Sequence, residues 1–146
     1  MQEITLKNLA KDYRSNEAYK TLRTNIEFSG SDKQVIVFTS CTPNEGKSTV
    51  SLALAASLAE GEKRVLFIDA DLRKSVMMGR HKDYRGTEWL KSFSFRPVEL
   101  KDVICKTQIQ GLSVILAGVV PPNPSELLGN HRFEAMLDGA RKPMIM

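Results

Sequence analysis

Val35-Ile36-Val37-Phe38-Thr39-Ser40-Cys41-Thr42-Pro43-Asn44-Glu45-Gly46-Lys47-Ser48-Thr49 is the stretch on which the fold of this chain turns. It opens with four apolar residues, mostly β-branched, which predict a short strand. An unbroken apolar run suits a strand covered on both faces, as in a parallel sheet under helices. Downstream, Ser48 to Glu60 is rich in Ala and Leu and predicts a helix that Gly61 ends. A second apolar run, Val65-Leu66-Phe67-Ile68, completes strand, helix, strand, the spacing of a βαβ unit.

The loop between the first strand and the helix reads as a P-loop. Successive backbone N–H groups there curl around phosphates, and the helix N-terminus adds partial positive charge. Gly46 allows close backbone approach, Lys47 reaches the β- and γ-phosphates, and the Ser48 hydroxyl ligates Mg²⁺. Thr49 steadies the helix start or touches the α-phosphate. Pro43, Asn44, Glu45, Gly46, Lys47, Ser48 and Thr49 are thus the expected ATP-binding set. The match is to the Gly-Lys-Ser end alone, because Cys41 stands where the general pattern has Gly. Asn44 softens that loss, since Asn tolerates left-handed backbone geometry. The alternative is a structural loop with an incidental lysine.

The second run continues into Asp69-Ala70-Asp71-Leu72-Arg73. A βαβ crossover makes the two strands parallel, so Asp69 is expected at the sheet edge that carries the loop. Carboxylates beside a triphosphate make sense with a cation or a proton to receive. Asp71 is expected to hold Mg²⁺ with Ser48, through water. Asp69 is expected to accept the proton of an attacking hydroxyl or to hold a metal-bound water. Lys47, Asp69 and Asp71 form the expected catalytic set. The plainer alternative is that both acids only cap a turn.

The rest of the chain fits one domain over 1–146, with 1–32 as a helical lead. Ser15 to Phe28 predicts an amphipathic helix with Ala18, Leu22 and Ile26 on its apolar side. Residues 78–106 predict short helices and loops anchored by Trp89, Phe93 and Phe95. Leu112 to Leu116 predicts a third strand. Asn123-Pro124-Ser125-Glu126 predicts a helix start, with Asn123 as cap, Pro124 first in the helix and Glu126 closing a capping box. Leu127, Leu128, Phe133, Met136 and Leu137 form that helix's apolar face. Hydrophobic residues make up 42% and charged residues 26%, as in a soluble globular protein rather than a disordered one. The net charge of +4 is scattered among carboxylates without a run of five like charges, so no nucleic-acid partner is expected. Cys41 and Cys105 lack metal-ligand spacing and no secretory leader precedes them, which suggests a cytoplasmic setting. A small buried filler is the expected role of Cys41.

Together, the loop and the Asp-x-Asp-x-Arg motif resemble those of the bacterial protein-tyrosine kinases of capsular and exopolysaccharide synthesis. So do Glu17 to Ile26, Asp102 to Thr107, Ala117-Gly118 and Pro121 to Leu128. The resemblance implies an α/β fold, a P-loop NTPase-like parallel sheet flanked by helices. It implies tyrosine autophosphorylation with ATP and Mg²⁺, usually within a homo-oligomeric ring, under a membrane-bound activator protein of the polysaccharide export system. A Glu-x-x-Arg-x-x-Arg helix for subunit contacts maps onto Glu17, Lys20 and Arg23, where Lys20 cannot repeat the forked pairing of Arg. The family's third motif, a later strand ending in a magnesium-binding Asp, and its C-terminal tyrosine cluster have no counterpart here. Only Tyr13, Tyr19 and Tyr84 remain. The expectation is a sheet incomplete at the C-terminus and a weak or inactive kinase. Two alternatives stay open: a partition-type ATPase, although its additional early P-loop Lys is missing, and a non-catalytic nucleotide-binding regulatory subunit.

Overall fold

The structure, a computed structural model, describes residues 2–6, 9, 13–30, 32–73, 75, 99–118 and 122–141. In chain order these form β1 (Gln2–Ile4), α1 (Tyr13–Phe28), α2 (Lys47–Glu60), β2 (Val65–Ile68), α3 (Leu100–Val103), β3 (Cys105–Thr107), β4 (Leu112–Ile115), α4 (Pro124–Leu128) and α5 (His131–Arg141). Trp89, Phe93, Phe95 and Tyr84 lie outside the described residues. The four strands stand in the order β1-β3-β4-β2. Two pairs are parallel, β1 with β3 and β2 with β4, while β3 and β4 run antiparallel. The α/β class holds, but the sheet is mixed. A short turn through Gln108–Gly111 joins β3 directly to β4, and neighbours joined that way run antiparallel.

Strand alternation splits the core into two layers. Val65 and Phe67 of β2 with Leu112, Val114 and Leu116 face α2, where Leu52, Ala55, Ala56 and Ala59 meet them. On the opposite side, Leu66, Ile68, Ile115 and Ala117 meet Leu72, Val103, Phe133, Met136 and Leu137. Both faces of β2 and β4 are therefore covered, which is why these strands carry apolar residues at nearly every position. Beyond β1, the Gln108 side chain substitutes for a strand partner. Its Oε1 accepts from the Leu6 N–H at 2.8 Å and its Nε2 donates to the Leu6 carbonyl at 2.9 Å.

Three expectations need correction. Val35–Phe38 joins no ladder with any described strand, and the four residues are 47, 43, 83 and 37% exposed instead of buried on both faces. An apolar run becomes a strand only where a neighbour supplies hydrogen bonds, and here none of the described strands does. In α1 the half-buried positions are Ser15, Tyr19, Arg23 and Ile26, whereas Ala18 and Leu22 are exposed. The polar side of the helix faces inward because α2 offers it a backbone carbonyl as well as apolar surface. The last helix is two, broken at Gly129-Asn130, and Leu128 is exposed. Pro124 does sit in the first turn, but Asn123 donates to the Glu126 carboxylate at 3.0 Å, so the two side chains satisfy each other and no capping box forms.

Candidate nucleotide site

The loop reaches α2 through two residues in left-handed geometry, Asn44 at φ 65° and Gly46 at φ 84°. Left-handed residues within a loop are the backbone feature that lets N–H groups turn towards one anion. A Cβ placed on Gly46 would meet nothing within 4 Å, so the loop is open at that point. The Gly46 carbonyl accepts from Val50 N–H at 2.9 Å and starts the helix, which leaves the N–H groups of its first turn pointing outward. Pro43, Asn44, Glu45 and Gly46 are exposed, Lys47 and Ser48 half-buried, and Thr49 exposed. A hydrogen bond from the Thr42 hydroxyl, with further ones from the loop's own N–H groups, holds the Glu45 carboxyl below its ordinary range. Cys41 is exposed, not the buried filler expected from sequence.

From the other side of the crossover, β2 delivers Asp69 and Asp71. Leu72 is buried in the core and pins the turn that follows the strand. Asp69 is 7% exposed; its Oδ1 accepts from the Asp71 N–H at 3.1 Å and its Oδ2 from the Ser75 hydroxyl. Burial raises its pKa, opposed by the hydrogen bonds from Ser75 and Asp71 and by the charge of Lys47. Asp71 accepts from the Arg73 N–H at 3.3 Å, so both acids do brace their turn. Bracing is not their whole environment, because Asp71 Oδ2 lies 4.0 Å from Lys47 Nζ. The loop lysine and the strand carboxylates, 22 to 24 positions apart, thus converge at one end of the sheet.

A hydroxyl on Ser48 and a carboxylate on Asp71 are hard oxygen donors of the type Mg²⁺ takes, and the open loop leaves room for the phosphates that supply its other ligands. Sequence reasoning missed Ser75, since a serine six positions beyond an aspartate carries no spacing signal. It also gave Arg23 only an outward role. Glu17 and Lys20 pair with each other at 2.9 Å on the exposed side of α1, while Arg23 Nη1 donates to the Ser57 carbonyl of α2.

Residues 33–137 match the family model described as AAA domain. The chain is 39% identical over 139 residues to a tyrosine-protein kinase, CpsD, of Streptococcus agalactiae, covering 95% of this chain and 61% of that protein. Among solved structures it is similar to the kinase domain of the Escherichia coli tyrosine kinase ETK, with a TM-score of 0.75 and 37% identity over 86% of this chain and 49% of that one. The BceF tyrosine kinase domain superposes with a TM-score of 0.73 at 41% identity, over 86% and 50% of the two chains. The chain therefore spans about three fifths of that curated relative and about half of those kinase domains.

Proposed function

The chain belongs to the AAA domain family, among relatives that are bacterial tyrosine-protein kinases, and on that premise we propose that it binds ATP with Mg²⁺ for phosphoryl transfer to tyrosine in the control of capsular or exopolysaccharide synthesis. The observation that carries this reading is the convergence of Lys47 and Asp71 from two separate motifs. In this scheme the N–H groups of Asn44 to Thr49, with Pro43 shaping the loop before them, bind the phosphates, and Lys47 neutralises charge on the transferred group. Ser48 and Asp71 hold Mg²⁺, which supplies further charge neutralisation when bound. The tyrosine oxygen attacks the γ-phosphorus as the bond to the β,γ-bridging oxygen breaks, and the phenolic proton passes to Asp69. A carboxylate whose pKa burial has raised is a better acceptor for that proton.

The site's partners follow from the same reading: a membrane-bound activator and further copies of the chain, met at the cytoplasmic face. Among the described residues no helix is long and apolar enough to cross a membrane. A second reading, a nucleotide-binding regulatory subunit, draws on the exposed Val35–Phe38, because the segment leading into the loop pairs with none of the described strands.

Incubation with labelled ATP and a phosphotyrosine readout separates the two. The measurement is made on this chain and on a version extended by the C-terminal remainder of a relative, each with and without Lys47→Ala. Labelling of the extended form that Lys47→Ala removes is the expected result. An extended form that binds ATP and labels no tyrosine selects the regulatory subunit.

A further inference from the structure

The last turn of α2 contains no basic residue, although the C-terminal end of a helix gathers unpaired carbonyls and partial negative charge. Arg23 brings the cation from the neighbouring helix. Its Nη1 donates to the Ser57 carbonyl, which also accepts from the Gly61 N–H at 3.2 Å. Gly61 makes room for the guanidinium: a Cβ there would lie 3.1 Å from both Cδ and Nη1 of Arg23. Its backbone, at φ −84°, is open to any residue, so what a side chain there would press on is Arg23 and not the turn.

The surface of α2 makes such a clamp consequential. Six of its eight buried residues are Ser51, Ala53, Ala55, Ala56, Ser57 and Ala59, with only Leu52 and Leu54 larger. Short side chains form shallow ridges, and a helix faced with them is weakly keyed along its own axis. At its other end, about 21 Å away by the rise of 14 residues, stand Lys47 and Ser48.

We infer that Arg23 is a positioning residue for the nucleotide site, setting the seat of α2 from its C-terminal end and thereby the placement of Lys47 and Ser48. The inference rests on the nucleotide-binding reading for its affinity measurement alone, since thermal unfolding of the nucleotide-free chain needs no ligand. Arg23→Ala is expected to lower the unfolding midpoint by about 4 °C and to weaken ATP-Mg²⁺ binding about fivefold when measured well below that midpoint. Gly61→Ala, which removes no charge, is expected to lower the midpoint in the native background and to cost nothing once Arg23 is Ala, because the clash has gone. A Gly61→Ala effect of equal size in both backgrounds overturns the clamp. Unchanged ATP affinity in Arg23→Ala, in a chain whose binding Lys47→Ala weakens about 100-fold, overturns the positioning role. Should Arg23→Ala fail to fold, Gly61→Ala alone carries both measurements, and a variant as stable and as tightly binding as the native chain counts against the inference. A native chain that binds no ATP defeats the nucleotide reading, while the thermal comparison still decides whether Arg23 clamps α2.

Discussion

Val35–Phe38 and Val65–Ile68 are four-residue apolar runs of nearly the same composition, and they meet opposite fates. The second is hydrogen-bonded along its length to β4, Val65 opposite Leu112 and Ile68 opposite Ile115, with helices over both faces. The first joins no described ladder and leaves Val37 largely in solvent. The difference teaches that β-propensity states a fit to a pleated, half-buried surface and not a place in a sheet. The candidate site joins the two regions, since Lys47 follows the first run and Asp71 the second.

Truncating one residue in each run tests the contrast most strongly. Phe67→Ala, half-buried and packed against the core under α2, should cost about 2 kcal/mol of stability in denaturant unfolding. Val37→Ala should change it by less than about 0.5 kcal/mol. Similar losses in both would mean that the first run is packed after all. Lys47→Ala should reduce ATP-Mg²⁺ affinity by about 100-fold in calorimetry, the effect of removing a charged hydrogen-bonding partner of the phosphates. Asp71→Ala should act on the metal instead, raising the Mg²⁺ concentration for half-maximal binding about tenfold while metal-free binding stays unchanged. An unaltered Mg²⁺ requirement removes Asp71 from the metal site.

The smallest effect concerns Asp69 and pH. Its folded pKa is raised by burial, so between its unfolded and folded values the native state holds more proton than the unfolded one. Stability from this group therefore falls as pH climbs from about 4 through the folded pKa and levels off above it. Asp69→Asn should remove that decline, so that thermal midpoints of variant and parent diverge with rising pH in favour of the variant. Parallel curves would show that the buried carboxylate costs the fold nothing.

Much of this was legible in the chain. The Gly-Lys-Ser end of the loop, the Asp-x-Asp turn and the limits of α2 and β2 all follow from local chemistry: left-handed glycine, helix-forming Ala and Leu, β-branched runs. The resemblance drawn from these motifs is borne out by the kinase relatives. Less visible were β1 and β3, of three residues each, which pair with each other although they lie far apart in sequence. The orientation of α1 was misread because hydrophobic periodicity favoured Leu22, while a charged contact to Ser57 turned Arg23 inward. Periodicity counts apolar area and has no term for a carbonyl waiting on the next helix.

The two cysteines are the only two thiols of the chain, and their surroundings differ: Cys41 is exposed at the head of the loop, Cys105 is 1% exposed in the sheet. A thiol-directed fluorophore should thus mark the folded protein at a single position beside the phosphate cradle. Slower labelling with ATP-Mg²⁺ present would turn that position into an optical gauge of occupancy.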